Sequence, residues 1–326
     1  MKIAVLGAGA WGSALAISLS ARHAITLWSR RASDCDRLAA SRESAYLPGL
    51  RIPVGVAIEP DLAIAASGCD LVLVATSTGG LRETAAAVGA VRGEAPLLWA
   101  CKGFETATRQ LPHQVLAEVL PGWTQVGALS GPSFALEVAR GQPTALTIAA
   151  ADAGFAAGTA SLLNSPRLRI YSSGDLVGVE LGGALKNVIA IAAGISDGLS
   201  LGRNARAALI TRGLAEIVRL GTAMGGQVET FMGLTGLGDL VLTCTGDLSR
   251  NRDVGTRLAR GQGLEAILAE LGHVAEGVHS ARSARTLAHE HGIEMPITEA
   301  VCSVLFESLA PAEAVQQLLA RDPRPE

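Results

Sequence analysis

The stretch Lys2-Ile3-Ala4-Val5-Leu6-Gly7-Ala8-Gly9-Ala10-Trp11-Gly12-Ser13-Ala14-Leu15-Ala16-Ile17-Ser18-Leu19 decides the reading of the first half of the chain. A short apolar run with strand character meets G-x-G-x-x-G and continues into a helix-length segment that reaches Ala21. In that setting each glycine has a task. Gly7 permits a tight turn, Gly9 lets the backbone approach a pyrophosphate, and Gly12 lets the helix pack closely on the strand. The helix N-terminus supplies the anion site. An isolated match could be chance in a chain with 38 glycines, but this one sits at the first βα turn. The same stretch is uncharged from Ile3 to Ala21 and could pass for a secretory signal; its glycines punctuate it as strand and turn, so it is read as part of the fold.

Outward from this motif, near-continuous apolar runs recur at Ala24 to Trp28, Leu71 to Ala75, Leu97 to Ala100, Thr124 to Leu129 and Ala145 to Ala149, with helix-length intervals between them. With Ile3 to Leu6 they make six strands of a mainly parallel, doubly wound Rossmann-like α/β sheet covered on both faces. After about Arg169 to Ser173 strand signals stop. Windows such as Val177 to Ile195 and Ala205 to Met224 carry helical periodicity, so residues 1–176 are expected to form a dinucleotide-binding domain and 177–326 an all-helical domain carrying substrate and catalysis. Glycine-rich stretches at Gly194 to Gly202 and Gly225 to Gly238 are expected to break those helices, and the tail from Arg321 to Glu326 to fray.

Composition excludes several partners. The net charge of −3 supplies no broad basic field for nucleic acid. Five scattered cysteines form no metal or redox spacing, so no metal is expected and a reducing cytoplasm fits. Runs such as Val188 to Ile195 are far shorter than the roughly 20 residues of a membrane span. Small-residue helical faces leave a homodimer open.

At the end of the second strand, where an NAD-preferring site places Asp or Glu, this chain has Ser29-Arg30-Arg31. Two guanidiniums suit the 2'-phosphate of NADP. They could equally face solvent, and Asp34 or Asp36 could still reach the ribose, so the cofactor is NADP or NAD with NADP modestly favoured.

In the second half, Lys186 and Asn187 interrupt an apolar helix, Glu180 to Ile189. Lys186 either snorkels to the surface or faces a cavity where its ammonium is used. Asp239, another lone charge in Gly236-Leu237-Gly238-Asp239-Leu240, is its candidate partner or else a helix N-cap. Ser249 could cap a helix while Arg250 and nearby free N–H groups hold a phosphate; a solvated basic turn is the alternative.

Taken together, GAGAWG (7–12), YLPGL (46–50), CKGFE (101–105), LSGPSFALEVARG (129–141), GVELGGALKNVIAIAAGISDGL (178–199), GLGDLVLTCTGDLSRN (236–251) and VAEGV (274–278) resemble the bacterial NAD(P)-dependent glycerol-3-phosphate dehydrogenases over essentially the whole chain. The resemblance implies reversible reduction of dihydroxyacetone phosphate to sn-glycerol 3-phosphate, supplying glycerophospholipid synthesis. It makes Lys186 the acid-base, with Lys102, Asn187, Asp239 and Thr243 completing the polar site. Gly131, Ser133, Ser249, Arg250 and Asn251 would contact the phosphate substrate. Trp11, Arg31, Ala135, Val274 and Glu276 match dinucleotide contacts, alongside Lys102 and Arg250. Two departures stand out: Ala10 replaces a common serine beside the pyrophosphate, and Ala75-Thr76-Ser77 replaces Val-Pro-Ser. A reductase of 3-hydroxy acids or ketopantoate, or a non-catalytic dinucleotide sensor, would share much of this build.

Overall fold

The computed structural model describes residues 1–271 and 275–321. The strands are β1 (Lys2–Leu6), β2 (Ala24–Trp28), β3 (Ala57–Glu59), β4 (Leu71–Val74), β5 (Leu97–Trp99), β6 (Val126–Ser130), β7 (Thr144–Ala149) and β8 (Leu168–Ser173). They form one sheet in the order β3-β2-β1-β4-β5-β6-β7-β8. Every neighbouring pair is parallel except β6 with β7. The intervening helices are α1 (Ala10–Leu19), α2 (Ala32–Ser41), α3 (Leu62–Ala66), α4 (Thr78–Arg92), α5 (Pro112–Val119), α6 (Ala135–Ala139) and α7 (Ala153–Leu163).

Burial explains why this sheet forms. Ile3 and Val5 of β1 join one apolar cluster with Leu15, Leu27 and Leu73, while Ala4 and Leu6 join another with Val72, Val74 and Trp99. Side chains alternate along a strand, so a strand apolar at every position is covered on both faces. Two strands escaped the sequence reading. β3 has three residues, and β8 alternates buried Leu168 and Ile170 with exposed Arg169 and Tyr171. Neither shows the continuous apolar run that marked the other six.

The chain clusters into two compact units, Met1–Glu180 and Leu181–Glu326. The division falls inside α8 (Leu176–Gly198), four residues beyond the expected limit at 176. The second unit continues through α9 (Gly202–Ala223), α10 (Val228–Met232), a π-helical turn (Leu234–Gly238), α11 (Asp239–Thr245), α12 (Arg250–Ala259), α13 (Leu264–Leu271), α14 (Glu276–Glu290), α15 (Pro296–Phe306) and α16 (Pro311–Leu319).

The Gly194 to Gly202 stretch holds the helix break expected of it, since α8 ends at Gly198 and α9 begins at Gly202. A Cβ on Gly194 would stand 2.0 Å from the Arg252 carbonyl oxygen, and one on Gly198 2.8 Å from that of Thr256. These glycines let the backbones of α8 and α12 touch, and the helix ends only after Gly198. By length and composition α8 could also cross a membrane, contrary to the reading that every apolar run is too short. Its apolar window is 89% buried, as befits a core helix.

Candidate active site

The order of the strands reverses at β1 and β4, the place where a doubly wound sheet opens a crevice beyond the carboxyl ends of its strands. Gly7 follows β1 with φ +125°, and a Cβ there would lie 2.7 Å from the Ala75 carbonyl oxygen just past β4. Gly12 is tighter still, since its Cβ would meet the Gly7 carbonyl oxygen at 1.8 Å. Gly9 differs. Its backbone is extended (φ −70°, ψ −175°) and a Cβ would find no atom of the described residues within 4 Å beyond its chain neighbours. Nothing among the described residues demands glycine there, whereas a pyrophosphate lying against the backbone would. Gly9 precedes α1, whose first turn carries no acidic side chain, so the residues fit a dinucleotide phosphate.

Other candidate cofactor residues gather around this turn. Trp11 and Ala10 pack with Ala135 of α6 in an apolar cluster centred on Ala14, Leu47 and Val138. Arg30 and Arg31 follow β2 and are largely exposed; Arg30 pairs with Glu83 at 3.6 Å and Arg31 with Asp34 at 3.0 Å. Asp34 is thus turned toward Arg31 and Arg37. Lys102 lies in the loop after β5, where its Nζ donates to the Gly131 carbonyl at 3.0 Å and its own carbonyl accepts from Thr78 Oγ1 at 3.1 Å. Ser133 Oγ donates to that same Gly131 carbonyl at 3.1 Å. Gly131 takes φ +133°, a region that favours glycine.

In the second unit Lys186 projects from α8 into a buried polar knot. Its Nζ donates to Asp239 Oδ1 at 2.5 Å and to Thr243 Oγ1 at 2.9 Å. Thr243 Oγ1 in turn donates to the Asp239 carbonyl at 2.6 Å. Lys186 is 6% exposed and Asp239 1%, so neither snorkels to solvent. Asp239 is not an N-cap: Gly238 occupies that position and no side-chain cap forms. The π-helical turn before it, closed by Gly238 N–H to the Gly233 carbonyl at 3.1 Å, sets its direction. Such single-turn bulges often occur at functional sites. Gly182 of α8 seats on this turn, because a Cβ there would lie 2.6 Å from the Thr235 carbonyl oxygen.

Asn187 and Asn251 are largely committed to one another. Asn251 Nδ2 donates to Asn187 Oδ1 at 2.9 Å, Asn251 Oδ1 accepts from the Gly277 N–H at 3.0 Å, and Asn187 Nδ2 donates to the Gly183 carbonyl at 3.3 Å. They tie α8, α12 and the first turn of α14, where Glu276 lies. Ser249 caps α12, its Oγ accepting from the Arg252 N–H at 3.3 Å. Arg250, first residue of α12, is exposed and makes no hydrogen bond or ion pair among the described residues. Its neighbours Arg252 and Arg257 are held by Asp197 and Glu270. A guanidinium without a partner, beside the N–H groups of a helix N-terminus, suits a phosphate. Val274 lies outside the described residues.

The models of the NAD-dependent glycerol-3-phosphate dehydrogenase N-terminus and C-terminus match residues 2–156 and 175–316. The chain belongs to the NAD-dependent glycerol-3-phosphate dehydrogenase family. Within that family it is 58% identical to the glycerol-3-phosphate dehydrogenase [NAD(P)+] of Thiobacillus denitrificans and 56% to that of Aromatoleum aromaticum, each over 100% of both chains. The crystal structure of the Coxiella burnetii glycerol-3-phosphate dehydrogenase superposes with a TM-score of 0.93 at 40% identity, covering 98% of this chain and 99% of that one. A ketopantoate reductase from Ralstonia eutropha shares the fold alone, with a TM-score of 0.60 at 17% identity.

One part of the site had no signal of its own in the sequence. Glu180 stands at the head of ELGGALKN, yet it is buried and bonded to residues of β5 and α5.

Proposed function

We propose that this chain interconverts dihydroxyacetone phosphate and sn-glycerol 3-phosphate with NAD(P), and that Lys186 hands the proton to the carbonyl oxygen during reduction and takes it back during oxidation. The observation that carries this reading is the buried amine of Lys186, aimed by Asp239 at 2.5 Å and Thr243 at 2.9 Å. The bound nicotinamide supplies hydride to the reacting carbon or accepts it.

Asp239 and Thr243 fix the amine, so the proton need not be sought from water. General acid catalysis of this kind contributes roughly 10²- to 10⁴-fold. Lys102 serves as a second cationic donor for the developing oxyanion. Arg250 and the start of α12 hold the phosphate, and that remote binding energy orients the carbonyl. The charge at Arg30 and Arg31 favours NADPH over NADH. Five scattered cysteines without metal or redox spacing suit a reducing cytoplasm, where the product feeds glycerophospholipid synthesis, and small-residue helical faces suit a homodimer.

Oxidation of NADPH and NADH is to be followed with dihydroxyacetone phosphate and with 2-keto and 3-keto acids. Turnover of dihydroxyacetone phosphate alone, faster with NADPH, is expected. Turnover of ketopantoate instead, or tight dinucleotide binding without any oxidation, would overturn the reading.

A further inference from the structure

The loop that carries Lys102 joins β5 to α5, and one buried carboxylate holds both of its ends. Glu180, 6% exposed, accepts from Trp99 Nε1 at 2.9 Å and from the His113 N–H at 2.9 Å. Its other oxygen meets His113 Nδ1. Trp99 is the last residue of β5 and His113 the second of α5, so Glu180 clamps the base of residues 100–112. Burial pushes the Glu180 carboxyl up, against the pull of its donors.

The remainder of the loop is braced independently. Arg82 forks onto Glu105 at 2.8 and 2.9 Å, and Thr78 Oγ1 holds the Lys102 carbonyl at 3.1 Å. Lys102 and Glu180 also line one small pocket, together with Ser130, whose buried Oγ has no partner among the described residues. We propose that Glu180 is a positioning residue for Lys102: by tying Trp99 to His113 it fixes the base of the loop and with it the place of the Lys102 ammonium beside Gly131. The inference rests on the reading of Lys102 as a second donor.

A double-mutant cycle tests it on the full chain. Lys102→Met, Glu180→Ala, their combination and Glu180→Gln are compared by kcat and by calorimetric affinity for glycerol 3-phosphate with dinucleotide present. Misplacing a catalytic group by about 1 Å can cost on the order of 10²-fold, so Glu180→Ala should lower both quantities. In the Lys102→Met background it should lower neither further. Glu180→Gln keeps an oxygen for the two N–H donors and offers N–H to His113 Nδ1, so it should retain most activity. If Glu180→Ala does not fold, Trp99→Phe, which deletes one donor, should show the same non-additivity. Losses that multiply in the double variant, or an impaired Lys102→Met beside a fully active Glu180→Ala, would overturn the inference. A fully active Lys102→Met would instead overturn the role given to Lys102.

Discussion

Alanine at Gly9 and alanine at Gly12 should damage different properties, although only two residues separate them in one turn. At Gly9 the backbone is one that alanine adopts without strain, and the new methyl meets no atom of the described residues within 4 Å beyond its chain neighbours. Restricting the unfolded chain should then stabilise the protein by about 0.4–1 kcal/mol. Against a bound pyrophosphate the same methyl is an overpacking contact of about 1–3 kcal/mol, or roughly a 5- to 150-fold weaker Kd. At Gly12 the methyl would lie 1.8 Å from the Gly7 carbonyl oxygen, 3.0 Å from its carbon and 3.2 Å from Ala75 Cβ. Backbone cannot yield as a side chain does, so Gly12→Ala should lose at least about 1–3 kcal/mol of stability. Urea melts without dinucleotide and fluorescence titration with NADPH separate the two quantities. A Gly9→Ala protein with undiminished NADPH affinity, or one destabilised as much as Gly12→Ala, would refute the assignment of Gly9 to the pyrophosphate.

Two further outcomes are expected. Arg250→Ala, which removes an exposed guanidinium with no partner among the described residues, should leave the melting temperature within about 1–2 °C while raising KM for dihydroxyacetone phosphate about 10-fold or more; an unchanged KM would remove Arg250 from the phosphate site. Glu216 of α9 accepts from the Ile297 N–H at 2.6 Å, the Thr298 N–H at 3.1 Å and Thr298 Oγ1 at 3.0 Å, capping α15, and burial pushes its carboxyl up to about 7. Because the folded value lies above the unfolded one, its contribution to stability is complete below pH 4.5 and disappears as pH rises through 7. That gap amounts to roughly 3 kcal/mol. Urea melts from pH 4.5 to 8 should therefore show wild type losing stability relative to Glu216→Gln, and a flat or rising difference would contradict the burial of the charge.

The first half of the fold was legible because β1, β2 and β4 to β7 are apolar at nearly every position and the glycines mark their first turn. β8 was not, since its alternation of Leu168 and Ile170 with exposed residues reads like any amphipathic segment. The antiparallel sense of β7 leaves no local trace either. In the second unit, Lys186 and Asp239 could be paired in advance because each is a lone charge among aliphatics. The π-helical turn that aims Asp239 could not, because it depends on how Gly182 and Gly236 seat against backbone. Gly194 and Gly198 have a further role with no local signal, for a related reason: a glycine that ends a helix and one that admits another helix look alike until the neighbour is known. The pairing of Asn251 with Asn187 and the clamp at Glu180 are long-range contacts that no spacing encodes.

The central claim concerns the proton that leaves Lys186. Lys186→Met strips Asp239 of its buried partner, which costs on the order of 3–5 kcal/mol of stability, so the measurement belongs at a temperature where melting shows the variant folded and titration shows it binding NADPH. The single-turnover rate of NADPH oxidation by dihydroxyacetone phosphate should then fall about 10²- to 10⁴-fold with dinucleotide affinity unchanged. A rate equal to that of the unaltered enzyme would mean the proton comes from elsewhere.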